Sequence, residues 1–550
     1  MRGLPLEEPS QSRSYRAYYA LLALGLLGVV GLHQFRTTPG IAHSRDFQGL
    51  PVTCPAQADI LVPSLEFPEL ETKEYRDYAA ERLAGAVRIP TETFDSGPKN
   101  GSDPYYDKFS KFEAYLRAQF PHTFSSVRAE VHGGHGILLF WEGSDESLEP
   151  IILMAHQDTV PVPLDTVPRW THPPFSGHYD EDGWVWGRGA GDCKGLLIAE
   201  LAAVEKLVIS GFEPARTVIL SFGFDEEGGG VRSAAYLSAR VEELYGPDSI
   251  LLIVDEGEGF IDDEFGRTFI RPGFGEKGST NIAVTVAVPG GHSSVPPEHT
   301  GIGILSSFVT TLEANPFQPI LSAKNPYSAY AQCLAEFAPD FDSDIRDALS
   351  HERTWGKAAK LIDSKDAQDG ARLKTTQAVD IISGGVKVNA LPEQATAIVN
   401  HRVSVDSSVA EIRERYISLL TPEAKKFNLT VVGFEEEAPP GVERYLKLSS
   451  PYGKGASPVS PYNGAGWEVF GGTARHVIGE DAIVAPFLMN GGTDTRVFQN
   501  LTRNIYRFQP LKPSERAEIH TVDEHVHIDG HLRTIKWIHA LVQNADTYRS

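Results

Sequence analysis

The chain of 550 residues is poor in sulfur, with three cysteines (Cys54, Cys193 and Cys333) and three methionines. So few thiols exclude a disulfide scaffold, and the lack of any C-x-x-C pair excludes the zinc modules built on that spacing. One bridge can close at most: Cys54–Cys333 is the favoured pair, and three free thiols are the alternative. Basic charge is also short. Lys and Arg number 50 against 73 Asp and Glu, a formal net charge of −23. That excludes the basic surface which nucleic-acid phosphates require. Long apolar runs are missing, with one exception near the start.

That exception is AYYALLALGLLGVVGL, residues 17–32, which holds no charge. Extended to Phe35 it reaches the ~20 residues of a spanning helix. Arg2, Arg13 and Arg16 precede it and should stay cytoplasmic. The sequence therefore predicts a single-pass, type II arrangement: a tail at 1–16, a signal-anchor at 17–35 and a lumenal stem at 36–74. A cleaved signal peptide is the rival, although no A-x-A-type site follows the run. Sequons at Asn100, Asn428 and Asn500 suit a lumenal, glycosylated chain.

Beyond the stem, strand and helix patterns alternate. VRAEVHGGHGILLFWEG (127–143) reads as a hairpin, and PIILMAH (150–156), RTVILSFGF (216–224) and SILLIVD (249–255) as buried strands. DCKGLLIAELAAVEKLVISG (192–211) has helical spacing and a glycine stop. This order predicts an α/β domain whose mixed, largely parallel sheet is flanked by helices. Ligands of such sheets bind beyond the carboxyl ends of the strands.

Those ends are where the polar residues fall. The first strand stops at His156-x-Asp158, and a glycine-rich turn, GRGAGDCKG (187–195), delivers Asp192 to a helix start. The next two strands end in Asp225-Glu226-Glu227 and Asp255-Glu256. Each piece alone is ordinary; Asp192, for example, would pass as a helix N-cap. Together, at successive strand ends, so many carboxylates would repel one another unless a cation joined them. Imidazole and carboxylate donors without a thiolate run suit Zn²⁺ or a similar ion.

In this order the motifs resemble the M20 metallopeptidases: HQD (156–158), WTHPPF (170–175), GRGAGDCK (187–194), DEEGG (225–229), DEG (255–257), GGHSSVP (290–296), VNALP (388–392), NHR (400–402), GGTD (491–494) and IHTVDE (519–524). With the anchor and stem, the chain looks most like their fungal vacuolar carboxypeptidase S (Gly-Xaa carboxypeptidase) branch. The resemblance implies two Zn²⁺ per subunit, bridged by Asp192. His156 and Asp255 would complete one site, and His520 and Glu227 the other, with Glu256 a candidate adjacent to Asp255. Asp158 would orient His156, and Glu226 would be the general base. The peptide after Asp192 would be cis, leaving Cys193 a packed neighbour.

It further implies a zinc-exopeptidase-type catalytic domain at 75–278 and 436–550, interrupted by a smaller α+β lid or dimerisation domain at 279–435. A helical stretch at about 323–365 falls inside that insertion. His292, Asn389, Arg402, Gly492 and Thr493 would meet the substrate. His292 would serve the oxyanion and Arg402 the free carboxylate, although a turn histidine and a surface arginine are the plainer readings of those two residues. The implied function is hydrolysis of the C-terminal peptide bond of short Gly-Xaa-type peptides in the vacuole lumen, by a membrane-held chain that could form a homodimer through the lid. Release by proteolysis or secretion is the alternative address. The alternatives in function are an N-acyl-amino-acid amidohydrolase or synthase, and a non-catalytic binding ectodomain.

Overall fold

The computed structural model describes residues 52–263 and 265–549. The anchor expected at 17–35 lies outside the described residues, and among those described no helix is long and apolar enough to cross a membrane.

An eight-stranded mixed sheet organises the molecule. In chain order its strands are β1 (Arg128–His132), β2 (Gly136–Trp141), β3 (Ile151–His156), β4 (Val218–Gly223), β5 (Leu252–Asp255), β6 (Gly273–Glu276), β7 (Phe487–Met489) and β8 (Ile505–Arg507). Across the sheet they run β1-β2-β4-β3-β5-β8-β6-β7. The central four, β4, β3, β5 and β8, are parallel. β3, β4 and β5 are buried along their whole length, which explains their unbroken apolar runs. The register brings their carboxyl ends to one edge: His156 lies opposite Gly223, and Leu153 opposite Val254, so that Asp255 comes beside Met154, short of His156. His156, the Asp225 turn and Asp255 therefore leave the sheet along one edge.

Helix α1 (Lys194–Ile209) is apolar on nearly every side. Such a helix must be covered all round, and α1 sits in the main core together with the sheet and α2 (Ile528–Thr547). Its position fixes Asp192 and Cys193, which immediately precede it. A small sheet of Arg516–Ala517, His525–His527, Trp184–Trp186 and His178–Tyr179 joins the loop before α1 to the segment bearing His520.

A second sheet of five strands comprises Gly278–Ala287, Ala378–Gly384, Gln394–Val403, Thr430–Val432 and Tyr445–Lys454. With helices Gly301–Glu313 and Val409–Lys426 it closes its own core around Val284, Phe308, Val399 and Tyr416. Two expectations about the insertion need correction. The sheet continues to Lys454 rather than ending near 435, because Tyr445–Lys454 pairs with Gly278–Ala287. The helices Pro326–Phe337, Ser343–Leu349 and Trp355–Lys365 do not join the lid core. Tyr330, Trp355 and Ile362 share a core with Phe269, Phe487 and Leu488 instead, on the side of the large sheet.

The stem expected up to residue 74 is also shorter than predicted. Cys54 is bonded to Cys333. Gln57 exchanges hydrogen bonds with the backbone of Val484, and Leu65 N–H donates to Gln543 Oε1 at 2.7 Å. Phe67 and Leu70 are buried in the main core. The run of Pro and Thr hides a segment whose Ala58, Leu61, Leu65, Phe67 and Leu70 pack against the body, with Val62 left exposed.

Candidate metal centre and active site

Asp192 stands between two imidazoles. Its Oδ1 lies 3.0 Å from His156 Nε2, and its Oδ2 lies 3.3 Å from His520 Nε2. His520 Nε2 is also 3.1 Å from Glu227 Oε1. The five expected metal ligands thus include four that the fold gathers from β3, the start of α1, the turn after β4 and the C-terminal segment. The ligand atoms of Asp192, Glu227 and His520 lie within 4.8 Å of one another, as do those of His156, Asp192 and Cys193.

Cys193 is the packed neighbour expected. Its Sγ accepts from His156 N–H at 3.1 Å, and burial keeps the thiol well above its ordinary pKa and hence neutral. The Asp192–Cys193 peptide is cis.

Asp158 does more than orient a ring. Its backbone O and Oδ1 lie 3.0 and 3.3 Å from His156 Nδ1. The same carboxylate accepts the N–H groups of Glu226 and Glu227 at 3.1 and 3.2 Å. One buried group therefore aligns both the histidine and the acidic turn. That turn closes on Asp225, which accepts from Arg232 N–H and Ser233 O–H, and on Asp494, a residue to which the sequence reading gave no role. An added Cβ on Gly230 (φ +58°) would fall 2.0 Å from Asp494 Oδ1, and one on Gly223 would fall 2.5 Å from Oδ2. Arg496 donates to Gly229 O from the same short helix. The signal was the aspartate of the GGTD motif itself.

Asp255 departs from expectation. It stands outside both close groups, with Oδ1 turned back to accept Glu256 N–H at 2.8 Å. Burial pushes its carboxyl up to about 6. Of the adjacent pair, Glu256 is raised by burial and then by the charge of Asp192, with His156 opposing, whereas Asp255 feels Arg507 and Glu276.

Charge at the site is unbalanced. Burial would raise the Asp192 carboxyl, but hydrogen bonds from His156 and His520 outweigh it and hold the group well below the usual range. Hydrogen bonds to Asp192 and Glu227 push His520 up to about 10. Burial opposes a charge on His156, yet the hydrogen bonds to Asp158 and Asp192 raise it well above its ordinary value. Glu226 is raised strongly by burial, then by Asp494. The cluster thus draws in positive charge, and its donors fit divalent ions: imidazole nitrogens, carboxylate oxygens, and a buried Asp255 Oδ2 that no hydrogen-bond donor reaches.

Of the expected substrate residues, His292, Asn389 and Arg402 lie in the lid. His292 and Asn389 meet in an exposed two-stranded ribbon, where His292 lies opposite Ala390 and Ser293 N–H donates to Asn389 O. Arg402 is exposed on the lid strand opposite Ser279. Thr493 is buried, and its N–H and hydroxyl both donate to Glu276 Oε1, which seats the Gly491–Gly492 turn on β6. No hydrogen bond among the described residues joins His292, Asn389 or Arg402 to the carboxylate cluster. All three sequon asparagines are exposed.

Imidazoles from a strand end and a C-terminal turn, meeting on a shared carboxylate, are the donor set of a metal-dependent enzyme. Residues 152–544 match the model of peptidase family M20/M25/M40, and the chain belongs to that family. It is 39% identical to carboxypeptidase S of Saccharomyces cerevisiae, over 87% of this chain and 86% of that one. It is 34% identical to the human N-fatty-acyl-amino acid synthase/hydrolase, over 87% and 90% of the two chains. The fold is similar to that of an M20 metallo-carboxypeptidase from Sulfolobus solfataricus, with a TM-score of 0.57 at 18% identity, covering 86% of this chain and 99% of that one.

Proposed function

We propose that the chain is a metallo-carboxypeptidase that hydrolyses the C-terminal peptide bond of short peptides of the Gly-Xaa kind. The observation that carries this reading is the placement of Asp192, with one carboxylate oxygen toward His156 and the other toward His520. Two Zn²⁺ ions would be held there, by His156 with Asp255 or Glu256 on one side and by His520 with Glu227 on the other. When bound, such ions polarise the scissile carbonyl and acidify the attacking water. Glu226 takes the water proton on its carboxylate and returns it to the leaving amine. Burial beside Asp494 raises the proton affinity that this return trip needs. Asp158 fixes Glu226 through its backbone N–H. Arg402 offers a planar fork for the substrate carboxylate, and His292 a donor for the oxyanion, once the lid ribbon closes over the cluster.

The lid also offers a dimer edge. Strand Ala378–Gly384 is an outer strand exposing Ile381 and Ile382, and Val386 and Val388 beyond it are fully exposed. An edge with that much apolar surface suits pairing with a second copy. The exposed sequons and the run at 17–35 support a glycosylated, membrane-held chain; a vacuolar address rests on the resemblance to the carboxypeptidase S branch alone.

A second reading has its own support in the similarity to the N-fatty-acyl-amino acid synthase/hydrolase: amides of fatty acids as substrates beside, or instead of, peptides. Both are tested by measuring release of leucine from N-blocked Gly-Leu and from an N-fatty-acyl leucine, with and without chelator. Hydrolysis of the peptide that stops with chelator supports the proposal. Turnover of the acyl amide alone favours the second reading, and no turnover of either leaves a binding ectodomain.

A further inference from the structure

Glu524 is fully buried, yet the chemistry above gives it no part. Its surroundings are unusual for a carboxylate. Oε1 accepts three backbone N–H groups, from Gly189, Gly191 and Asp192, at 3.0, 3.0 and 3.1 Å. Oε2 accepts from Arg188 Nη1 at 2.6 Å, an ion pair with both partners buried. The main chain adds two more links: Gly187 N–H donates to Glu524 O at 2.8 Å, and Arg188 Nη2 donates to Thr521 O at 3.0 Å. Positive φ angles at Gly187 and Gly189 turn the loop so that its N–H groups converge.

The two segments so joined are the ones that carry Asp192 and His520. Strand pairing of His525–His527 with Trp184–Trp186 brings Glu524 to this loop. His520 lies in the turn just before, itself at φ +63°. A free turn of that kind would leave the imidazole at variable distance from Asp192.

We propose that Glu524 and Arg188 form a buried brace that presets the approach of His520 to Asp192, and so preforms the metal centre before any ion arrives. Both are positioning residues, acting through the backbone that carries the ligands. A buried ion pair usually contributes little net stability, because desolvation offsets the attraction. A role in holding geometry explains better why it is kept so close to the ligands. The proposal rests on the metal centre proposed above.

The test compares Zn²⁺ binding to the full chain with that of E524Q and R188K, by competition with a coloured chelator, and adds the visible spectrum of the Co²⁺-loaded forms. E524Q keeps an acceptor for the three N–H groups but cannot pair with Arg188. R188K keeps the charge but cannot span Glu524 and Thr521 together. Partners that orient ligands typically change metal affinity by about 10–100-fold when mutated. A loss of that size in both variants is expected, with an altered Co²⁺ spectrum, lower kcat and unchanged KM. Zinc affinity, spectrum and kcat equal to wild type in either folded variant would overturn the brace. Should E524Q fail to fold, R188K alone decides. If wild-type chain binds no zinc, the metal centre itself is wrong, an outcome distinct from two ions bound equally by all three proteins.

Discussion

Asp158 is the residue on which the geometry of the site turns. Its carboxylate holds two N–H groups of the acidic turn and faces the ring nitrogen of His156. D158N keeps the size but weakens the acceptor and removes the charge that sets the imidazole tautomer. It is expected to lower kcat by about 10–100-fold, the range for outer partners of metal ligands, with zinc content reduced less than in D192N. Steady-state kinetics alongside metal analysis checks this. Glu226→Gln should do the reverse: both ions retained and turnover lost by about 10²–10⁴-fold, as for removal of a general base. Full activity in that variant would remove Glu226 from the mechanism. At this scale the sequence was legible in where His156 and the Asp225–Glu227 turn leave their strands, because an apolar strand that ends in ionisable residues has few other uses. It could not separate Asp255 from Glu256, since adjacent residues leaving a strand end point by local twist. Nor could it find Glu524, whose partners lie more than 300 positions earlier.

Two elements carry predictions of their own. In the turn 225–230, G230A would put a methyl 2.0 Å from Asp494 Oδ1 at a residue with φ +58°. Strain of this kind costs about 1–2 kcal/mol or more, so the thermal midpoint should fall. Activity should fall further than stability explains, since the displaced residues include Glu226. G229A has open space around its Cβ and serves as the comparison for the cost of positive φ alone. The second element is the segment from Cys54 to Leu70. Its bridge to Cys333 spans 279 positions of sequence, and loss of such a bridge typically costs about 2–5 kcal/mol. C333S should therefore melt earlier than wild type, and reductant should shift the wild type toward it. The elements themselves were legible where they were apolar: β3, β4 and α1 lie within a few residues of their expected bounds. The strand Tyr445–Lys454 was not, because YLKLSSPYGK has little alternation and becomes a strand only by pairing with Gly278–Ala287.

For the whole molecule, pH dependence follows from histidines buried away from the site. His401, His531 and His539 are buried, and burial lowers each to about 4. Their folded values lie below the ordinary ~6.5, so the neutral forms stabilise the fold. That contribution is complete above pH ~6.5 and is lost as pH falls through 4. Denaturant midpoints should therefore fall between pH 6.5 and 4, and H401Q, which can keep bonds to Thr376 and Tyr416 without titrating, should flatten the slope. An unchanged slope would mean that His401 takes up its proton alike in the folded and unfolded chain, and would contradict the lowered value. Composition and charge limited the class of molecule early, but the division of labour between the two sheets appeared only in three dimensions. The helices at 326–365 lie within the sequence of the insertion, yet their aromatic faces belong to the core of the large sheet.

The central claim is that Asp192 bridges two ions held between His156 and His520. Anomalous scattering at the zinc edge from a zinc-loaded crystal measures this directly. The account predicts two peaks on either side of the Asp192 carboxylate, one about 2.0–2.1 Å from His156 Nε2 and the other at the same distance from His520 Nε2. A single peak, or none within reach of both histidines, would contradict it.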